Sequence, residues 1–366
     1  MTANPVPPRT GMPNPDSQTP LPRPPRGHCP QRSVTLLSGD AADILRTLPA
    51  AEVDCVVTSP PYWRLRDYAT GTWTGGNPAC THQAPADGSQ DEQRRCHRCG
   101  ALWLDNQYGL ETTPGDYVDH LRQVFAELHR VLAPTGTVWL NLGDSYSANS
   151  DGYHNTRPGQ YRQPRYRPRT GLPHKNLIGM PWRTALALQT DGWTVKNAVV
   201  WHKTNAAPFP VRDRLSNQYE TVFLLVKQHH SVHRYTTHPC NRGATTPSST
   251  DPARPPRRRD LPSRRDIADT GDVWSIPVTP RRDQQHPATF PLDIPLRCIR
   301  FGSPPSGLVC DPFSGTGTTG LAARQLGRVY LGIDLNPAFT QIAADRLTAE
   351  SRPRPSAGDP ARQEAR

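Results

Sequence analysis

The stretch Gly307-Leu-Val-Cys-Asp311-Pro-Phe313-Ser-Gly315-Thr-Gly317-Thr-Thr-Gly320, followed by Arg328-Val-Tyr-Leu-Gly-Ile-Asp334, limits the fold more than any other part of the chain. A short apolar run, a glycine turn, a helix-compatible segment over 318–326 and a second apolar run ending in an acid describe a β-α-β unit. The glycines let backbone amides and a helix N-terminus approach a ligand. An acid at the tip of the second strand can accept hydrogen bonds from two ribose hydroxyls, so the stretch reads as a nucleoside-cofactor site. The same pattern also fits a dinucleotide-binding domain or a glycine turn without a ligand. Position argues against the dinucleotide reading. After Asp334 and one helical segment, 338–347, the chain runs into Ser351-Arg-Pro-Arg-Pro. The rest of the parallel sheet must therefore come from sequence before residue 307, which predicts a circularly permuted α/β domain.

A chain of 366 residues suits one large α/β domain, or one domain with an insertion. Only 34% of it is hydrophobic and 42 residues are proline, so a good part must lie outside the core. Ten prolines in the first thirty positions mark residues 1–32 as a disordered tail, and 351–366 reads as another. Lys and Arg number 43 against 32 Asp and Glu, a net charge of +11 that favours a polyanionic partner, with nucleic acid leading. Arginine-rich loops and ends that merely stay solvated would give the same excess. No charged leader precedes an apolar stretch, and no run of eighteen apolar residues occurs. The expectation is a cytoplasmic protein with no membrane contact.

Hydrophobic patterning predicts a strand over 33–40, a helix over 41–48 and a buried strand over 53–57 that runs into Thr58-Ser59-Pro60-Pro61-Tyr62-Trp63. Residues 33–63 thus begin the sheet, and 111–228 continue it. The helix over 117–132 opens after Thr113-Pro114-Gly-Asp116, and strands follow over 137–142, 193–201 and 220–226. With the two strands around the glycine loop, seven are expected. Between these pieces lie two aperiodic stretches. Residues 147–174 mix Arg157, Arg162, Arg165, Arg167 and Arg169 with Tyr161 and Tyr166, a composition suited to phosphate contacts and base stacking, or to plain solvation. Residues 229–285 are arginine- and proline-rich and form the candidate target-recognition region; 286–350 is the half that carries the glycine loop.

Residues 64–110 have little periodicity and hold Cys80-x-His82 and Cys96-x-x-Cys99, with His97 as an alternative ligand. Three of the eight cysteines crowd into this insertion, which in a reducing compartment points to metal rather than disulfides. Cys80, His82, Cys96 and Cys99 would make a tetrahedral zinc knuckle able to fold a segment with almost no apolar content. Unliganded loop cysteines are the alternative.

Two consecutive prolines directly after a buried strand fix an extended turn at the strand's carboxyl end, where ligands bind in open α/β sheets. Such a turn directs the Ser59 hydroxyl and the Pro60 carbonyl outward, both able to accept from one amino group, while Tyr62 offers a ring face. A rigid loop cap would look the same in isolation. Cys55 reads as a core residue of its strand, not a nucleophile.

Ser-Pro-Pro-Tyr after an early strand, with Asp-Pro-Phe-Ser-Gly-Thr-Gly-Thr-Thr near the C-terminus, resembles the amino-group DNA methyltransferases of the permuted β class. His286-Pro-Ala-Thr289-Phe290-Pro291 is similar to that family's segment lining the methionine end of S-adenosylmethionine, and the resemblance covers roughly 33–347. It implies a seven-stranded, Rossmann-like methyltransferase sheet. It further implies that Asp311, Phe313, Gly315 and Gly317 surround the amino acid part of S-adenosylmethionine, with Thr289 and Phe290 beside them. Asp334 would meet its ribose and Asp40 its adenine amino group. Ser59, Pro60, Pro61 and Tyr62 would form the catalytic turn acting on a base flipped from double-stranded DNA. Serine at the first position of that turn is mostly found with cytosine N4 as target, aspartate with adenine N6, and serine occurs on the adenine side too. A cognate restriction endonuclease is an implied partner. A non-catalytic nucleic-acid-binding protein with a relic cofactor fold and a dinucleotide-dependent oxidoreductase are the rival readings.

Overall fold

The computed structural model describes residues 33–83, 95–147, 170–206, 213–227, 271–278 and 290–349. The two tails, most of the candidate recognition region, most of the arginine and tyrosine loop and Thr289 lie outside these residues. Ten strands and six helices occur among the described residues. They are β1 (Val34–Ser38), α1 (Ala41–Arg46), β2 (Val53–Thr58), β3 (Thr72–Thr74), β4 (Leu102–Leu104) and α2 (Pro114–Val131), then β5 (Leu132–Leu142), α3 (Met180–Thr190), β6 (Thr194–His202), β7 (Tyr219–Val226) and β8 (Val273–Ser275). The chain closes with α4 (Asp293–Gly302), β9 (Leu308–Asp311), α5 (Thr318–Gln325), β10 (Val329–Asp334) and α6 (Pro337–Ala349).

Eight strands form one sheet in the order β1-β10-β9-β2-β5-β7-β6-β8, and β3 pairs with β4 separately. This corrects the expected seven strands. The eighth, β8, is three residues long and pairs in parallel with β6, too short to show an alternating pattern in sequence. It comes from the stretch assigned to target recognition, so that region contributes one strand to the sheet. The aperiodic insertion 64–110 likewise holds the β3-β4 pair.

The β-α-β unit made by β9, α5 and β10 sits between β1 and β2, so strands from the end of the chain fill the middle of the sheet. The neighbours from β1 through β5 are parallel, whereas β7 runs antiparallel to both β5 and β6. Parallel sheets are covered on both faces. Alternation along the strands shows it here: Val56, Val138, Leu140, Phe223 and Leu225 join the core under α1, α2 and α3, and Cys55, Val57, Trp139, Val222 and Leu224 join the core under α4 and α5.

Helix α2 shows how locally this is encoded. Thr113 caps it through its side chain and Asp116 returns the bond, while Tyr117, Leu121, Val124, Phe125 and Leu128 are fully buried along one face. Each such side chain contributes about 1.5–3 kcal/mol by leaving water. The helix passes directly into β5, which begins at Leu132, five residues before the strand expected over 137–142, and so takes in Pro134-Thr-Gly136.

Candidate active site and candidate metal centre

In an open parallel sheet the carboxyl ends of the strands form the ligand edge. Four strand ends meet there: Thr58 of β2, Leu142 of β5, Asp311 of β9 and Asp334 of β10. Since β7 is antiparallel, its amino end lies at the same edge, and register pairs Glu220 with Trp201 and Thr221 with Leu142. A cavity of about 360 Å³ opens there. Among its lining residues are Ser59, Pro60, Pro61, Tyr62, Phe290, Asp311, Phe313, Gly315 and Asp334. Residues 59–62 and 311–334, remote in sequence, thus face one space.

Asp311 joins the two motifs. Its Oδ1 accepts from Thr58 Oγ1 at 2.7 Å and from the Phe313 amide at 3.1 Å, and its Oδ2 accepts from Thr319 Oγ1 at 2.7 Å. With only 2% of its surface exposed, its first task is to fix the end of β2 against the glycine loop. Burial pushes its carboxyl up to about 6, against the lowering effect of those hydrogen bonds. Asp334 accepts from the Gly315 amide at 2.7 Å and the Asn336 amide at 2.8 Å, and burial lifts it to about 6 as well. Gly317 precedes α5 with φ +76, a left-handed conformation that favours glycine, but does not itself line the cavity. Asp40 is not a lining residue either: its Oδ1 caps α1 by accepting from the Ala42 and Asp43 amides, and its neighbour Ala41 meets the cavity.

The catalytic-turn candidates carry a polar network that no motif announces. The Tyr62 hydroxyl donates to Glu220 Oε2 at 2.5 Å and accepts from Asn141 Nδ2 at 2.8 Å and from Ser59 Oγ at 3.3 Å. Lys203 holds the other Glu220 oxygen at 2.5 Å. Burial, followed by the charge of Glu220, raises the Tyr62 hydroxyl well above its ordinary value, so it remains a donor at neutral pH. Gly143 makes room for the ring, since a Cβ there would stand 2.6 Å from Tyr62 Cε2. Asn141, Lys203 and Glu220 all line the cavity. The sequence signal for them was faint: Asn141 is a polar residue inside an apolar strand, and Glu220 opens another.

Away from this cavity, Cys80, His82, Cys96 and Cys99 come together with their donor atoms all within 4.8 Å of one another. His97, the alternative, is not in the group. Cys80 Sγ and Cys96 Sγ are 3.9 Å apart, and His82 Nε2 and Cys99 Sγ 3.0 Å. Tetrahedral bonds of about 2.3 Å to sulfur and about 2.1 Å to nitrogen demand separations of roughly 3.6–3.8 Å. The sulfur pair already fits, and the His82 contact needs a small opening. Backbone amides of Ala101 and Asn77 point at Cys99 and lower its thiol pKa. Gly76, at φ +70, leaves the space beside it, because a Cβ would lie 2.7 Å from Cys99 Sγ. The donor set suits zinc.

Residues 53–345 match the model of a family described as DNA methylase, of N6 and N4 type. The chain belongs to this DNA methylase family. Similar relatives include the Type II methyltransferase M.XycI of Xanthomonas campestris pv. cyanopsidis, 34% identical over 329 residues that span 87% of this chain and 89% of the relative. The Type II methyltransferase M.SmaI of Serratia marcescens is 34% identical over 319 residues, 86% of this chain and 91% of its own. Among solved structures, a Thermus thermophilus protein complexed with S-adenosyl-L-methionine superposes with a TM-score of 0.52 at 22% identity, covering 86% of this chain and 93% of that one. The cytosine-N4-specific PvuII DNA methyltransferase gives 0.51 at 18% identity, with 86% of both chains covered. These likenesses show that this DNA methyltransferase shares their mixed α/β fold. Among its described residues no helix is long and apolar enough to cross a membrane.

Proposed function

We propose that this DNA methyltransferase transfers the methyl group of S-adenosylmethionine to N4 of a cytosine turned out of double-stranded DNA. The observation that carries this reading is the meeting of the Ser59 to Tyr62 turn with Asp311 and Asp334 around one cavity, joined by the Thr58 to Asp311 hydrogen bond. S-adenosylmethionine supplies an electrophilic methyl group when bound. The residues fit it: both Asp334 oxygens accept one amide each and keep a lone pair for a ribose hydroxyl. Phe290 and Phe313 give the cavity apolar surface, and the strand order, with β9 and β10 inside the sheet, agrees with the permuted arrangement.

Turning a base out of the duplex costs a few kcal/mol, which contacts in the cavity offset. Ser59 Oγ and the Pro60 carbonyl accept from the exocyclic amino group and aim its lone pair. Tyr62 is held by Glu220 and Asn141, so the turn is preorganised before any base arrives. No covalent attachment to the chain is needed. Burial pushes Cys55 up to about 12, which keeps it a thiol at neutral pH and leaves it in the core. Ser59 as the first residue of the turn favours cytosine over adenine.

The net charge of +11 supports DNA as partner; the arginine-rich composition of residues 229–285 supports that stretch as reader of the site, and the likeness to Type II methyltransferases supports an endonuclease acting on the same sequence as companion. Cys80, His82, Cys96 and Cys99 would hold one structural zinc. Replacing Ser59 by Ala should lower methyl transfer about 100-fold, the usual scale for losing one preorganised polar contact, with S-adenosylmethionine affinity unchanged. Single-turnover rates beside equilibrium binding check this, and an unaltered rate would contradict the assigned role.

A further inference from the structure

The cysteine insertion enters and leaves through the wall of the cavity. Its entry limb contributes Arg66, Tyr68 and Thr70 to the lining, and its exit limb Gln107 and Tyr108. Among the described residues between the limbs, the regular structure is the paired strands β3 and β4, three residues each. A two-stranded pair of that length is not stable alone. One face of it stays open to solvent: Leu102 and Leu104 are 39% and 49% exposed. The four clustered metal ligands lie beyond β3 and before β4, and the Trp73 ring stacks on His82 at 4.9 Å while meeting Trp103, its cross-strand partner, edge-on.

From the pair to the cavity the limbs are cross-linked. Thr70 Oγ1 donates to Asp105 at 2.8 Å, the Tyr68 amide donates to Gln107 Oε1 at 2.6 Å, and Gln107 Nε2 donates to the Arg66 carbonyl at 2.8 Å. Beyond these, Tyr68 packs edge-on against Phe339 of α6 at 5.9 Å, and Tyr108 against Phe313 of the glycine loop at 5.1 Å. A continuous set of contacts therefore runs from the Cys/His cluster to the aromatic groups over the proposed cofactor side.

We infer that the zinc-held β3-β4 pair clamps the two limbs together and thereby sets the wall of the cofactor cavity, so that zinc occupancy governs S-adenosylmethionine affinity. This rests on the zinc and cofactor readings proposed above. The metal acts at a distance as a positioning element and takes no part in the chemistry.

The test uses the full chain, purified reduced, with zinc measured by elemental analysis and S-adenosylmethionine binding by calorimetry before and after zinc is withdrawn by a chelator. The expected result is one zinc per chain, at least tenfold weaker binding once it is removed, and recovery when zinc is returned. Far-UV circular dichroism should stay nearly constant, because the clamp is local. Cys99→Ser should behave like the stripped chain, whereas His82→Cys, which keeps four ligands, should retain both zinc and affinity. Asp105→Ala should keep the zinc yet bind several-fold more weakly, since it cuts the link and spares the metal site. Unchanged affinity in a chain shown to have lost its zinc would overturn the clamp, and so would collapse of the whole fold on zinc removal. A reduced, undamaged chain without zinc would refute the metal reading itself, and a zinc-loaded chain that does not bind S-adenosylmethionine would refute the cofactor reading.

Discussion

Two carboxyls, Asp311 and Asp334, stand at the centre of the proposed cofactor side, and burial raises both to about 6. For Asp334 the consequence is a pH dependence of binding. Only the ionised form accepts from two hydroxyls, and at pH 5, one unit below its pKa, about one-eleventh of it is ionised. S-adenosylmethionine affinity should therefore fall about tenfold through this group between pH 7 and pH 5. In Asp334→Asn affinity should be lower at pH 7 and the part of the slope due to this group absent, which calorimetry at the two pH values would register. A wild-type slope retained in the variant would assign the titration elsewhere. At this scale the sequence was partly legible. Ser59, Tyr62, Phe313 and Asp334 stand at glycine- or proline-marked strand ends, and all four line the cavity. Asn141, Lys203 and Glu220 reach the same cavity only through strand order and the reversal of β7, which single residues in apolar strands do not reveal. Asp40 stands directly before the helix expected over 41–48, and α1 does begin at Ala41, so its capping bonds were legible as an acid at a helix start.

Most long elements followed hydrophobic period, β5 excepted, since it begins at Leu132, five residues before the strand expected over 137–142. Both strands around the glycine loop and the buried strand before Ser59 could be read from sequence within a residue or two, and the capped helix α2 within three. The short strands β3, β4 and β8 could not, since three residues carry no measurable alternation and their pairing depends on neighbours. The glycine loop also shows how tightly one element is fitted to the next. A Cβ on Gly320 would stand 2.6 Å from Tyr330 Cε1, so α5 lies close over β10 only because that position has no side chain. Gly320→Ala should destabilise the chain by about 1–3 kcal/mol, the usual scale for overpacking a filled core, despite the better helix propensity of alanine. Urea denaturation would show the lower midpoint; an equal or higher one would mean that the Tyr330 ring moves aside freely.

For the whole molecule, the chain order explains why a cavity can be assembled from opposite ends of the sequence. The early strands carry the Ser59 turn, the last strands carry the glycine loop, and β9 beside β2 makes them neighbours. Net charge and family both support DNA as the partner. The product decides what the site does: nucleoside mass spectrometry of DNA free of methylation, after incubation with the purified protein and S-adenosylmethionine, should show N4-methylcytosine. N6-methyladenine would contradict the weight placed on Ser59 while leaving the fold and site in place, and no methylated base across varied DNA substrates would contradict the proposed activity itself.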